Sequence, residues 1–151
     1  PKYSEAVFTA FNTLGEPAFW ERAAAWRDEG GHGIIVGGES YGQGSSREHA
    51  AICPMYLGVK VKIAKSFERI HRANLVNFGI VPLLFVGDAD YDGVVDGEAL
   101  SITDLPTQLR AGDTVTVASP SRGVEFSARH DLTATEVEVI IAGGKLNSVA
   151  K

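Results

Sequence analysis

The spacing of hydrophobic positions changes along this chain, and each spacing predicts a kind of element. Residues 1–15 hold no sustained period: Phe8, Phe11 and Leu14 fall at helical spacing, but Gly15 stops whatever forms. Residues 16–29 predict a helix. Pro17 suits its first turn, where a missing N–H costs nothing, and Phe19, Ala23 and Trp26 share a face until Gly30-Gly31 ends it. Residues 33–37 are a continuous apolar run bounded by glycines, which predicts a strand buried on both faces of a parallel sheet. A polar, glycine-rich loop follows over 38–44. Residues 46–53 predict a short helix that Pro54 breaks or kinks, with Met55-Tyr56-Leu57 adding a turn. Residues 59–64 alternate Val59, Val61 and Ile63 with Lys60 and Lys62, which predicts a strand with one wetter side. Ser66 is placed to cap a helix running to Phe78, with Phe67, Ile70, Leu75 and Phe78 turned inward and Gly79 at its stop. Residues 81–86 predict a third strand. Strand and helix thus alternate over 33–86 with short loops, which implies right-handed crossovers and a parallel core.

The pattern then changes. Residues 87–97 are rich in Asp and Gly and predict a polar turn. Residues 100–105, 113–118 and 124–129 read as strands, and 119–123 as a hairpin turn. Thr133 or Thr135 opens a last helix through Ile141, closed by Gly143-Gly144. The predicted fold class is α/β: a mixed, partly parallel sheet flanked by helices, in a single domain spanning 1–151 with residues 1–15 irregular. Neither a repeat nor a low-complexity linker divides it.

Composition narrows the function classes. The 151 residues suffice for one domain with a sizeable core, and the net charge is −5. An acidic balance without a basic stripe disfavours DNA and RNA as partners, while one local arginine in a cleft still suits a small anion. The single cysteine, Cys53, can form no disulfide within the chain and cannot by itself hold an iron–sulfur cluster or a structural zinc. That usage suits a reducing compartment. The longest apolar stretches are too short to span a bilayer, and no secretory signal is visible, so a cytoplasmic location without membrane attachment is expected. The chain begins at Pro1, as expected of a processed subunit or of a domain cut from a longer protein.

The chemistry concentrates in residues 37–50, at the carboxyl end of the first predicted strand, where ligands bind in open α/β sheets. Gly42 and Gly44 allow positive φ or a close approach of backbone to ligand. Ser45, Ser46 and Arg47 then fall at the start of a helix, where free N–H groups and the positive helix end attract anions. Arg47 offers a planar fork for a carboxylate. A serine beside a guanidinium at a helix terminus is also a candidate general base. The plainer alternative is capping: Ser45 with Glu48 three residues later makes a capping box, and one serine can cap while the other faces a ligand. Neither a Walker loop nor a three-glycine dinucleotide fingerprint is present, so no nucleotide cofactor is indicated.

These residues also carry a family resemblance. The run Tyr41-Gly42-Gln43-Gly44-Ser45-Ser46-Arg47-Glu48-His49-Ala50-Ala51 resembles the Ser-Ser-Arg motif in the C-terminal swivel domain of aconitases. A second block, Ala64-Lys65-Ser66-Phe67-Glu68-Arg69-Ile70-His71-Arg72-Ala73-Asn74-Leu75, follows at the family's spacing, then Asn77-Phe78-Gly79-Ile80-Val81-Pro82-Leu83. The resemblance is strong over 33–85 and weaker to the C-terminus. It implies a swivelling β/β/α-type domain of a hydro-lyase that interconverts citrate and isocitrate through cis-aconitate in the tricarboxylic acid cycle. By position, Ser45 would be the base that takes the carbon-bound proton, and Ser46 and Arg47 would hold a carboxylate. A [4Fe-4S] cluster would be bound by other domains, the cluster-bearing domains 1–3, or by a large-subunit partner chain. The related small subunits of isopropylmalate dehydratase and homoaconitase share Ser-Ser-Arg-Glu-His and form a second reading. A non-catalytic anion- or RNA-binding module is a third.

Other residues have plainer expectations. His32, His49, His71 and His130 lack metal spacing; His49 sits on the motif helix, and His71 and Asn74 are a turn apart, set to bond backbone or face a partner domain. Cys53 reads as a small core residue, and Trp20, Trp26 and Tyr41 as packing groups, with Tyr41 also near the cleft. Asp88, Asp90, Asp92 and Gly93 mimic the start of a calcium loop, but Ala99 stands where its closing Glu belongs, so a solvated turn is expected.

Overall fold

Three parallel strands form the half of the sheet that the glycine-bounded apolar runs predict. The computed structural model describes residues 19–44, 48–95 and 98–150. Helix α1 (Phe19–Asp28) leads into β1 (Gly33–Val36), then α2 (His49–Tyr56), β2 (Val59–Ala64), α3 (Arg69–Asn77) and β3 (Val81–Phe85). The second half is α4 (Asp88–Gly93), α5 (Leu105–Ala111), β4 (Thr114–Ser119), β5 (Val124–Arg129), α6 (Ala134–Ile141) and α7 (Lys145–Val149). One five-stranded sheet runs in the order β1-β2-β3-β5-β4. β1, β2 and β3 pair in parallel, and β5 lies antiparallel to both β3 and β4. The architecture is therefore a mixed α/β sheet flanked by helices, as the strand–helix alternation predicts.

Apolar side chains pack in two groups. The larger joins Val61, Ile63, Val81, Leu83, Val115 and Val117 of the sheet to Leu109 of α5 and Val137 and Ile140 of α6. The smaller sets Ile35 and Val59 against Ala51 of α2 and Leu75 of α3. Between Gly33 and Ile34 the pairing of β1 with β2 slips, so that Gly33 faces Val59 but Ile34 faces Val61. The extra residue is Lys60. A bulge of this kind reverses which side chains share a face. Val59 then points with Lys62 toward α2 and α3, while Val61 and Ile63 point into the larger group. The wetter side expected for this strand is thus half wrong: Lys60 is exposed, but Lys62 is only 2% exposed.

Several other expectations need correction. The strand expected over 100–105 is a single bridge, Ser101 to Ala118, followed by α5. Pro106 stands in the first turn of α5, where it starts a helix and cannot continue a ladder. Gln108 of that helix accepts from the Thr116 N–H of edge strand β4 at 2.8 Å, so α5 covers an otherwise open edge. The polar turn expected over 87–97 contains the short helix α4, and Asp88 pairs with Lys65 at 2.7 Å. Among the described residues, no group of three or more His, Cys, Asp or Glu is placed to hold a metal. A further helix, α7, follows Gly143-Gly144. Ser66 does not cap α3, which begins at Arg69. Ile70 is 51% exposed rather than turned inward, Trp26 is 57% exposed, and Cys53 lies on the surface. The Trp20 side chain and the helical spacing of Phe8, Phe11 and Leu14 fall outside the described residues. Thr133 does open α6: its hydroxyl accepts from the Glu136 N–H, and the Glu136 carboxylate accepts from the Thr133 N–H.

Candidate functional site

Beyond the end of β1 the chain does not leave the sheet at once. Gly37 N–H donates to Ile63 O at 2.8 Å, and Lys65 N–H to Gly38 O at 3.2 Å. Tyr41 N–H donates to Ser66 O at 2.9 Å, and Glu68 N–H to Tyr41 O at 3.0 Å, which makes a parallel bridge between Tyr41 and Phe67. The β1–β2 ladder is thus extended by main chain past both strand ends. Ser66 completes the stitching. Its Oγ accepts from Ser40 N–H at 2.7 Å and donates to Glu39 Oε2 at 2.9 Å. That bond holds Ser40 in the left-handed region, at φ +50°, which non-glycine residues seldom adopt.

A tight turn follows. Gln43 N–H donates to Ser40 O at 3.1 Å, with Gly42 at φ +95° and Gly44 at φ +78°. Both glycines therefore adopt the conformation that their place in the sequence suggests. They differ in their surroundings. A Cβ on Gly42 would overlap the His71 imidazole, whereas one on Gly44 would meet nothing. Glycine at 42 is demanded by backbone and neighbour together, and at 44 by backbone alone. Ser45, Ser46 and Arg47 lie outside the described residues, and with them the capping box that Ser45 would form with Glu48. The described chain resumes at the exposed Glu48, immediately before α2.

Beneath the turn is a buried polar cluster that the sequence reading did not assemble. The Tyr41 ring lies edge-on to Phe67 at 6.0 Å and tilts against the His71 ring at 5.5 Å. Lys62 Nζ stands 4.9 Å from the centroid of the Tyr41 ring and 3.3 Å from His71 Nε2. Burial lowers the Lys62 pKa from 10.5 to about 8, and burial together with Lys62 lowers that of His71 from 6.5 to about 4. At neutral pH a charged amine therefore donates to a neutral imidazole. The only hint of this in the sequence is a lysine inside a short strand whose neighbours are apolar. His71 was expected to bond backbone or meet a partner domain; it is instead enclosed within its own domain.

The other histidines are separate. His32 and His49 are exposed. His130 is buried and structural: its Nε2 donates to Gly112 O at 2.7 Å, and its Nδ1 accepts from Leu132 N–H at 3.2 Å. Cys53 is the one cysteine in the chain, so the donor set for an iron–sulfur cluster is absent from this sequence.

Comparison with known proteins places the chain among its relatives. The chain is 40% identical over 134 residues to a protein of Emericella nidulans named as a mitochondrial aconitate hydratase, covering 85% of this chain and 17% of the relative. It is 30% identical over 131 residues to the mitochondrial homocitrate dehydratase of Saccharomyces cerevisiae, covering 82% of this chain and 17% of that protein. This chain thus spans about a sixth of the curated relatives it matches. Among solved structures, 3-isopropylmalate dehydratase from Methanocaldococcus jannaschii aligns with a TM-score of 0.63 at 32% identity, covering 78% of this chain and 62% of that one. The curated relatives carry mitochondrial names, which overturns the expected cytoplasmic location and points to mitochondria. The matched proteins are hydro-lyases. Residues 5–87, more than half the sequence and the whole of the glycine turn, match the aconitase C-terminal domain, and this chain belongs to that family.

Proposed function

We propose that this chain is the substrate-gripping swivel domain of an aconitate hydratase, one domain over its whole length, working against a cluster-bearing body. Ser45 serves as the base that removes the carbon-bound proton, and Ser46 and Arg47 hold a carboxylate of citrate, isocitrate or cis-aconitate. One observation carries the reading: main-chain bonds from 65–68 hold Gly38 and Tyr41 beyond the carboxyl end of a parallel strand, and the Gly42–Gly44 turn follows directly from them, ahead of α2. A helix start beyond the carboxyl end of a parallel strand favours anions, which supports a gripping role for the residues between Gly44 and Glu48. Arg47 there can engage a carboxylate through two hydrogen bonds, and its charge favours ionisation of a neighbouring hydroxyl.

A [4Fe-4S] cluster would supply the Lewis acid for the departing hydroxyl. With one cysteine, this chain does not provide its ligands, so they belong to other domains or to a large subunit. This chain's own share is to bind, orient and move one proton. The 3-isopropylmalate dehydratase likeness supports a second reading, in which the same turn grips isopropylmalate. Assaying the full-length, cluster-loaded protein with citrate, homocitrate and isopropylmalate separates the two. In that protein Ser45→Ala should fold normally and lose roughly 10²–10⁴-fold in turnover, the range for a lost general base. Undiminished turnover would remove the base assignment.

A further inference from the structure

Lys62 and His71 form a buried pair that the reaction outlined above does not use. Each is 2% exposed, one on β2 and the other on α3. Among the described residues, the ionisable groups that face the amine are His71 from α3 and Tyr41 from the turn; Lys65, just past the end of the same strand, is turned away to Asp88. No carboxylate among the described residues offsets the amine, and methionine or leucine would fill the same space without the cost of burying a charge. An ammonium only donates, so His71 Nε2 accepts and the ring's proton sits on Nδ1. That Nδ1 is buried and has no partner among the described residues. The amine therefore dictates both the tautomer and the tilt of the imidazole. Gly42 rests directly on that imidazole and Tyr41 leans on it, three and four residues ahead of Ser45.

We propose that Lys62 and His71 are positioning residues that fix the Tyr41–Gly44 turn from which Ser45, Ser46 and Arg47 continue. The amine locks the imidazole, and the imidazole sets the height of Gly42. This rests on the function proposed above, and its test is arranged so that the two can fail separately. Lys62→Met and Ser45→Ala are made in the full-length, cluster-loaded protein. Lys62→Met is expected to melt at or above the wild-type temperature yet to lose about tenfold or more in kcat, as small misplacements of reacting groups do. As pH rises through about 8 the wild-type amine loses its charge and no longer dictates the tautomer, so kcat declines there; the variant lacks that decline. His71→Gln, which keeps an acceptor for the amine, should retain most of the turnover, and His71→Leu should not. Wild-type kcat, KM and pH profile in Lys62→Met, with Ser45→Ala inactive, overturns the positioning role alone. An active Ser45→Ala overturns the function on which it rests. If Lys62→Met does not fold, the two His71 variants decide, and equal turnover in them overturns the proposal.

Discussion

The interior beneath the parallel strands and the margin of the antiparallel ones treat charge in opposite ways. In the parallel half, around β1, β2 and α3, a lysine and a histidine are enclosed with no carboxylate among the described residues beside them, and a turn is held over them by main-chain bonds. In the antiparallel half, acids and bases meet at or near the surface. Arg110 forks onto Glu138 at 2.7 and 2.9 Å, and Arg122 onto Glu98 at 2.8 Å. Hydrogen bonds from Arg122 and Ser119 hold the Glu98 carboxyl down at about 2 against its partial burial. The second arrangement fastens loops and helices. The first leaves polar groups under stress beside a strained turn, as expected where structure serves a site rather than stability alone.

The sharpest way to break this contrast is Gly42→Ala. It combines a positive φ with a Cβ driven into His71, so a loss of roughly 2–5 kcal/mol in thermal unfolding is expected, with turnover falling at least as far as in Lys62→Met. Gly44→Ala has a similar φ but open space, and should cost only about 1–2 kcal/mol. Equal losses at the two positions would mean that His71 does not support the turn.

The next effect is one of pH. The folded His71 has its pKa depressed, so the unfolded chain binds the extra proton between about 4 and 6.5. Stability conferred by neutral His71 is complete above 6.5 and is lost as pH falls toward 4, by about 3 kcal/mol. His71→Gln should flatten that limb. Glu98 and Glu136, both lowered to about 2, act below the ordinary carboxylate value of 4.5 and so leave the part of this window above 4.5 to His71. An unchanged limb in His71→Gln would show that the pair is not enclosed as described.

Smaller effects test the surface pairs. Arg72 joins α3 to the start of α6 through Asp131 at 2.8 Å and Glu136 at 2.9 Å, with its side chain 20% exposed. Arg72→Met should cost about 1.5–3 kcal/mol, the usual range for hydrogen bonds to charged groups. Arg110→Ala removes a fork in open water and should leave the melting temperature unmoved. A large effect at Arg110 would erase the distinction between the halves.

The same contrast explains what could be read from the sequence. The parallel half was legible because Gly33, Gly37 and Gly79 bound apolar runs of strand length, and the turn because the backbone freedom of Gly42 and Gly44 is a local property. The 100–105 segment misled because its short apolar alternation suits a strand equally well; the decisive signal was Asp104-Leu105-Pro106, a helix start. Trp26 and Cys53 looked like core residues by type alone, and nothing in their spacing revealed the surface. Lys62 was illegible for a different reason. Its burial depends on one extra residue in β2 and on helices that arrive from elsewhere in the chain, neither of which leaves a periodic trace.

The extension of the β1–β2 ladder past its strands has a further consequence. Apart from Ser66, the bonds that carry the turn come from amide and carbonyl groups, which every amino acid other than proline supplies alike. Gln43 lends its N–H to the turn while its side chain faces water. A mount of this kind is indifferent to what is hung from it: outward side chains can be exchanged while the frame that presents them keeps its shape.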